Sequence, residues 1–204
     1  MITIIDYKMG NIRSLTNALE FLGVRHCITR NARTILEAKK IILPGVGVFS
    51  QAMRNLKHFY LIEVLEKAVF DKHIPILGIC LGMQILAEIG EENGPSKGLG
   101  WIKGAVKRFY FPDLKMPIPH IGFNSVYFEG KKTNLFKGLK NGADFYFLHS
   151  YRMVCEDNSD AVAFTNYEER FISAVQKDNI FGVQFHPEKS QSNGLIFLKN
   201  FLSF

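Results

Sequence analysis

Short apolar runs alternate with amphipathic segments through the first half of the chain. Residues 3–5 form an apolar run that predicts a strand, and the apolar positions of 12–22 then recur at spacings of three and four, which predicts a helix. The alternation continues after Gly23. Strands are predicted at 26–29, 40–43 and 75–79, and helices over 53–65 and from Leu81 towards Ala87. This order is typical of parallel strands joined by helical crossovers.

The second half carries strand patterns with few helices between them. Its predicted strands are 101–109, 122–128, 145–148, 161–165, 171–176 and 180–185, followed by a helix over 193–202. We expect these strands to be antiparallel additions to the core sheet. The predicted fold is therefore α/β, a mostly parallel central sheet flanked by helices, with antiparallel strands in the C-terminal half. No repeat or linker interrupts the pattern, which favours a single domain over 1–204.

Composition and charge narrow the classes of function. The net charge of +6 could indicate a nucleic-acid partner, but the Lys and Arg residues are scattered, so we expect neither nucleic acid nor membrane as a partner. The first residues fit neither a secretory signal nor a membrane span, and a cytoplasmic protein is expected. Three cysteines without a CxxC pair favour reduced thiols over a disulfide framework or a zinc site.

Cys80 lies in the segment Gly78-Ile79-Cys80-Leu81-Gly82, between a predicted buried strand and a predicted helix. A sharp strand-to-helix turn needs neighbours without side-chain bulk, and the glycines provide them. The thiol would stand at the N-terminus of the helix, where unpaired amides favour the thiolate. On its own, the segment fits a small buried core cysteine equally well.

A histidine and an acid follow the last predicted strand, in Gly182-Val183-Gln184-Phe185-His186-Pro187-Glu188. His186 could act as a general base toward Cys80, with Glu188 orienting its ring. The segment Pro44-Gly45-Val46-Gly47 also follows a buried strand, and its backbone N–H groups could hold an oxyanion beside Cys80. Each segment alone also fits an ordinary strand end or turn, so the hypothesis depends on their combination.

Together these segments resemble the class I (triad) glutamine amidotransferases over nearly the whole chain. Within that family the pattern is most similar to the glutaminase subunits of imidazole glycerol phosphate synthases. The motifs that carry the resemblance are Asp6-Tyr7 with Gly10-Asn11, Pro44 to Gly47 with Phe49, Gly78 to Gln84, Gly98 to Trp101, Pro119-His120, Gly122 with Asn124, Phe147 with His149-Ser150-Tyr151, and Gly182 to Gln191.

The resemblance implies specific roles for the site residues. Cys80, His186 and Glu188 would form the catalytic triad, and glutamine would be hydrolysed through a γ-glutamyl thioester on Cys80. The oxyanion and substrate residues would be Gly45, Val46, Gly47, Gln84, Ser150 and Tyr151. The resemblance implies no cofactor and no metal.

A partner is implied as well, a (βα)8-barrel synthase subunit bound as a heterodimer that receives ammonia and makes imidazole glycerol phosphate in histidine biosynthesis. Positions near that interface and its ammonia gate are matched by Phe123, Asn124, Tyr146 and Lys189. Position 123 departs from the family pattern, because it is Phe where Trp is usual. The aromatic ring is kept, but an indole N–H is lost.

Three other interpretations compete with this one. A paralogous glutaminase could supply ammonia to a partner that aminates another acceptor, such as a cell-surface sugar, and Phe123 leaves that possibility open. A catalytically silent docking protein could retain the fold, although all three triad positions are filled. A γ-glutamyl peptidase is the third, but the continuation Lys189-Ser190-Gln191 and the short chain favour a synthase subunit.

Overall fold

The computed structural model describes residues 1–111, 116–129, 133–156 and 158–204, which fold around two sheets. The strands are β1 Ile2–Ile5, β2 His26–Thr29, β3 Lys40–Gly45, β4 Ile76–Cys80, β5 Ala87–Gly90, β6 Ser96–Lys97, β7 Ile102–Arg108, β8 His120–Phe128, β9 Ala143–His149, β10 Tyr151–Cys155, β11 Ala161–Tyr167, β12 Glu169–Lys177 and β13 Ile180–Val183. The α-helices are α1 Ile12–Phe21, α2 Ala32–Leu36, α3 Phe49–His58, α4 Leu61–Glu66, α5 Leu81–Gln84 and α6 Gln191–Leu202. A π-helical segment, Lys67–Asp71, follows α4, and 3-10 turns occur at Asn134–Phe136, Asn158–Asp160 and Pro187–Lys189.

The large sheet has nine strands in the order β2-β1-β3-β4-β13-β12-β11-β8-β9. Strands β2, β1, β3, β4 and β13 run parallel to one another, and β12, β11, β8 and β9 extend the sheet from β13 with antiparallel pairing. The predicted α/β architecture is confirmed. One expectation about the second half was wrong, because β13 pairs parallel with β4 at the centre of the sheet instead of forming an antiparallel addition.

A second sheet of four strands, in the order β10-β7-β5-β6, packs beside the first. The strand predicted at 101–109 belongs to this sheet as β7, and not to the core sheet. The helix expected to run towards Ala87 ends at Gln84, and Ala87 begins β5. Pairing with β7 explains the change, since Ala87 lies opposite Ile102 in that pair.

The arrangement of the parallel strands determines where a site can form. Strands β1, β3, β4 and β13 are buried along their whole length, because apolar side chains cover both faces of the sheet. The carboxyl ends of β3, β4 and β13 meet at one edge, and binding sites in such sheets lie at this edge. In the described ranges, no helix is long and apolar enough to cross a membrane.

Candidate active site

Cys80 stands at a sharp turn between β4 and α5. Its backbone dihedrals are φ 54° and ψ −109°, a strained conformation for a residue with a side chain. Two glycines allow the chain to turn there. A Cβ atom at Gly82 would overlap with the carbonyl oxygen of Leu43, and one at Gly78 would lie 2.5 Å from the carbonyl oxygen of Gly82. The elbow therefore needs glycine at both positions, and it holds the thiol at the edge of the sheet.

His186 and Glu188 form a buried pair just after β13. The Nδ1 atom of His186 lies 2.8 Å from Oε1 of Glu188, and the side chains are only 2% and 5% exposed. An ionised carboxylate can only accept, so Nδ1 carries the hydrogen and Nε2 is the ring atom left for another partner. The backbone is also fixed, because the N–H of His186 donates to the carbonyl of Tyr146 at 2.8 Å. These contacts give the imidazole one orientation.

The structure brings Cys80 and His186 together, although they are far apart in the sequence. Burial of His186 opposes its charged form, but the neighbouring thiolate of Cys80 and the carboxylate of Glu188 outweigh burial and raise the pKa of His186 to about 10. Among the described residues, Nε2 of His186 is buried without an aligned hydrogen-bond partner, so its coupling to Cys80 is chiefly electrostatic. Such pairs often align only when substrate is bound.

A cavity of about 260 Å³ opens beside the thiol. Cys80 and residues from the oxyanion and substrate sets line it together, with one carboxylate, that of Glu92, on the wall. This volume suits a small molecule such as an amino acid. The lining residues are Val46, Gly47, Cys80, Leu81, Gln84, Glu92, Pro119, Leu148, His149, Ser150 and Tyr151.

The turn at Gly45 to Gly47 lies next to the thiol, but its central amide points elsewhere. Gly45 is the register partner of Cys80 across β3 and β4. The N–H of Val46 donates to the carbonyl of Met9, at an N to O distance of 2.6 Å. This amide is therefore already bonded, and the turn does not present it to the cavity. Gly47 has a φ of 108°, which glycine adopts without strain.

Gln84 is buried in the cavity wall and bonded within the protein. Its Nε2 donates to the carbonyl of Tyr151 at 2.9 Å and to Oε1 of Gln184 at 3.0 Å. Gln184 in turn donates from its Nε2 to the Sγ of Cys80 at 3.5 Å. Ser150 and Tyr151 continue the wall at the junction of β9 and β10. The predicted substrate residues thus lie together beside Cys80.

Three of the four predicted interface residues form one surface cluster. The rings of Phe123 and Tyr146 are 5.6 Å apart in a T-shaped contact, and Nζ of Lys189 lies 5.5 Å from the centre of the Tyr146 ring. Phe123 is 51% exposed. Asn124 lies elsewhere, because alternate residues of a strand face opposite sides; it contacts His120 and Asn166 on the other face of β8.

The family follows from comparison with known sequences. The family described as glutamine amidotransferase class-I matches residues 3–203. The chain belongs to the class-I glutamine amidotransferases. Two relatives of this amidotransferase are the imidazole glycerol phosphate synthase subunit HisH of Leptospira borgpetersenii, 45% identical with 100% of each chain covered, and subunit HisH 1 of Campylobacter jejuni strain RM1221, 46% identical with 99% of each chain covered.

Solved structures agree on the fold of the amidotransferase. A crystal structure of a glutamine amidotransferase superposes with a TM-score of 0.76 at 17% identity, covering 99% of this chain and 97% of the other. The structure of PurLQS from Thermotoga maritima gives a TM-score of 0.72 at 20% identity, with the same two coverages of 99% and 97%. At these identities the similarity concerns the architecture alone.

Three residues at the cavity or bonded to its lining residues were given no role from the sequence: Glu92, Gln184 and His149. Glu92 has no periodic or motif signal, and only the structure brings its carboxylate to the wall, where Oε2 accepts from the N–H of Phe49 at 2.8 Å. Gln184 precedes His186 by two positions, so a strand alternation from His186 would have placed both side chains on one face. His149 belongs to one of the motifs that carry the family resemblance, but no role was predicted for it.

Proposed function

We propose that this amidotransferase is the glutaminase subunit of an imidazole glycerol phosphate synthase, and that residues 1–204 act as one glutaminase domain. It would hydrolyse glutamine to glutamate and ammonia, and a synthase partner would use the ammonia in histidine biosynthesis. The observation that carries the proposal is that Cys80 lines the cavity and also lies close enough to the buried pair of His186 and Glu188 to raise the pKa of His186. Relatives about 45% identical over their full length are named as subunits of that synthase.

In the proposed reaction, Cys80 is the nucleophile and His186 transfers the protons. The thiolate attacks the carboxamide carbon of glutamine, and the C–N bond of the tetrahedral intermediate breaks as His186 gives a proton to the leaving ammonia. A γ-glutamyl thioester remains on Cys80. Water then attacks the thioester while His186 takes a proton from it, and glutamate leaves as the thiolate re-forms. Glu188 would keep Nδ1 protonated throughout and stabilise the imidazolium whenever the ring is charged.

The amino-acid end of glutamine needs an anion for its ammonium and donors or acceptors for its carboxylate and amide. We assign the ammonium to Glu92, whose carboxylate lies on the cavity wall. Gln84 and the backbone around Ser150 and Tyr151 would hold the remainder of the amino-acid end. The distance between this end of the cavity and the thiol would then select a substrate of the length of glutamine.

The oxyanion would be held by backbone amides of the turn from Gly45 to Gly47. Support comes from the position of the turn opposite Cys80 in the cavity. Its amide at Val46 donates to Met9, so the proposal requires that peptide to rearrange before it can contact the oxyanion. A site assembled only on binding of the partner would avoid hydrolysing glutamine when no acceptor is present.

For the partner, we propose that a (βα)8-barrel synthase subunit docks on the face of β8 and β9 next to the site, forming a heterodimer. Two apolar cross-strand pairs lie on this face, Ile121 with Leu148 and Phe123 with Tyr146. Ile121 and Phe123 are 57% and 51% exposed, and exposed apolar groups of this kind mark interaction surfaces. Ammonia would pass between Phe123, Tyr146 and Lys189. We place the complex in the cytoplasm, where reducing conditions would keep the thiol of Cys80 available.

A coupled assay tests the proposed pathway. The chain is mixed with a barrel synthase, glutamine and the ribonucleotide substrate of the synthase, and both glutamate and imidazole glycerol phosphate are measured. We expect one glutamate for each imidazole glycerol phosphate formed. Glutamate release without any imidazole glycerol phosphate, with a synthase that is active on free ammonia, would instead favour a different acceptor and a different partner.

A further inference from the structure

Two histidines outside the proposed triad face each other on the inner side of β8 and β9. His120 and His149 are direct partners in the register of these strands, and Nδ1 of His120 lies 3.1 Å from Nε2 of His149. Both are buried, at 2% and 6% exposure. The ring of His120 stacks between those of Phe147 and Tyr167, at centroid distances of 4.7 and 3.9 Å. Buried polar groups of this kind persist only where hydrogen bonds satisfy them.

The hydrogen bonds around the pair fix the tautomer of each ring. Nδ1 of His149 lies 2.8 Å from the carbonyl oxygen of Tyr151, which can only accept, so Nδ1 carries the hydrogen. Burial lowers the pKa of His149 to about 3 and that of His120 to about 4, so both rings are neutral near pH 7. Each ring then has one donor and one acceptor. Nε2 of His149 must accept from Nδ1 of His120, whose own Nε2 accepts from Asn124 at 3.3 Å.

The chain of hydrogen bonds ends at the cavity. The carbonyl of Tyr151 accepts from His149 and also from Nε2 of Gln84, at 2.9 Å. Gln84 connects through Gln184 to the Sγ of Cys80. A carbonyl oxygen has two lone pairs, so this one is fully used by the two donors. Removing the donor of His149 would leave Gln84 as the single side-chain donor to this carbonyl among the described residues.

We propose that His120 and His149 are positioning residues of the glutaminase site. The Nδ1–H of His149 fixes the carbonyl of Tyr151, and with it Gln84, so that the amino-acid end of glutamine meets a preformed wall. His120 holds His149 in the tautomer that this requires. The inference rests on the proposed function, because it assigns the wall to glutamine. It also gives Asn124 a role on the inner face of β8. There Asn124 would hold the ring of His120 by a hydrogen bond, in place of direct contact with the partner.

Two substitutions at position 149 separate this role from general packing. His149→Asn keeps a donor near the place of Nδ1 and loses the acceptor at Nε2. His149→Gln keeps an acceptor near the place of Nε2 and loses the donor to Tyr151. We expect His149→Gln to raise the KM for glutamine of the complex by about tenfold, the effect of one lost hydrogen bond, with a smaller change in kcat. His149→Asn should have a KM clearly closer to that of the wild type.

Three further measurements complete the experiment. Tyr167→Phe keeps the ring that stacks on His120 and removes only its hydroxyl bond to the carbonyl of Pro117, so it controls for packing and should not change KM. Calorimetry measures the affinity for glutamine of each variant combined with Cys80→Ala, so that no hydrolysis occurs during the titration. If the variants at 149 do not fold, His120→Gln, which loses its donor, should raise KM more than His120→Asn, which keeps it.

The outcomes distinguish this inference from the proposed function. Equal KM values for the Gln and Asn variants, with a wild type that hydrolyses glutamine, would overturn the positioning role and leave the glutaminase intact. A wild type that binds glutamine in the calorimeter but releases no glutamate would contradict the proposed function. The difference in glutamine affinity between His149→Gln and His149→Asn would still test the wall in that case.

Discussion

The backbone N–H of Val46 donates a hydrogen bond to the carbonyl oxygen of Met9, at an N to O distance of 2.6 Å. Cys80, His186 and Glu188 lie together, but the central amide of the neighbouring turn is bonded away from the thiol. In this conformation the N–H of Val46 is not available to the tetrahedral intermediate. One such donor contributes about 10²-fold to 10³-fold in rate.

We therefore predict that the isolated chain hydrolyses glutamine slowly, and that a synthase partner with its acceptor ligand raises kcat by about 10²-fold to 10³-fold. The increase would arise because rearrangement of the peptide at Val46 frees its N–H to donate to the oxyanion. Glutamate release is measured with the chain alone, with the partner, and with partner and ligand. Equal rates in the three mixtures would contradict the requirement for rearrangement.

The second prediction concerns the pKa of His186. This pKa is raised from 6.5 to about 10, with the Cys80 thiolate as the first of the contributions that raise it. Cys80→Ala should therefore lower the pKa of His186, as measured by ¹⁵N NMR titration of the imidazole. Glu188→Gln should lower it as well, because it removes the carboxylate bonded to Nδ1.

The same shift predicts a dependence of stability on pH. A group whose pKa is higher in the folded state stabilises the fold fully below its unfolded-state value, here 6.5, and the contribution is lost as pH rises through about 10. The free energy of unfolding of the wild type should thus fall, relative to Cys80→Ala, between pH 6.5 and pH 10. The free energies of unfolding are measured by denaturant titration at several pH values. A difference between the two proteins that stays constant from pH 6.5 to pH 10 would show that the coupling is absent.

The third prediction tests the docking face. Phe123→Ala should weaken binding of the barrel partner by about tenfold or more, because an exposed aromatic at the centre of an interface is commonly an energetic anchor. Phe21→Ala is a matched control, since Phe21 is 78% exposed at the end of α1, in a different element from the proposed face. Titration calorimetry with the partner measures both. Equal losses of affinity would remove Phe123 from the interface.

The fourth prediction tests the elbow. Gly82→Ala should destabilise the fold by about 3 kcal/mol or more, because the new methyl group would overlap with the backbone at Leu43, which cannot move freely. Gly23→Ala is the control. It has a φ of 67°, and beyond its chain neighbours no heavy atom of the described residues lies within 4 Å of the added Cβ, so only the backbone strain of about 1 kcal/mol applies. Denaturant unfolding compares the two, and similar losses would argue against the tight elbow.

The parallel core could be predicted because local and tertiary preferences agree there. Strand β2 was predicted with the bounds that it has, and the run before Cys80 has no alternation because β4 is buried on both faces. The short strands β5, β6 and β10 were missed. These strands form because they pair with other segments of the chain, as Ala87 does with Ile102. Such contacts produce no regular alternation of apolar and polar residues within a short stretch of sequence.

The prediction of one helix over 53–65 was wrong for a different reason. Tyr60 takes a left-handed conformation with a φ of 56°, so α3 ends at His58 and a new helix begins at Leu61. A glycine would have signalled this break, but a tyrosine does not. The site also combines residues that have a local sequence signal with residues that only tertiary contacts bring to it. Motifs predicted roles for Cys80 and His186, whereas the carboxylate of Glu92 reaches the cavity through tertiary packing alone.

The central claim is that glutamine hydrolysis requires the thiol of Cys80 as its nucleophile. Glutamate release by the complex of the chain with its synthase partner tests it directly, comparing wild type with Cys80→Ala after thermal unfolding has shown that both are folded. We expect Cys80→Ala to abolish glutamine hydrolysis while partner binding and synthase activity on free ammonia are retained. Glutamine hydrolysis by Cys80→Ala at a rate near that of the wild type would contradict it.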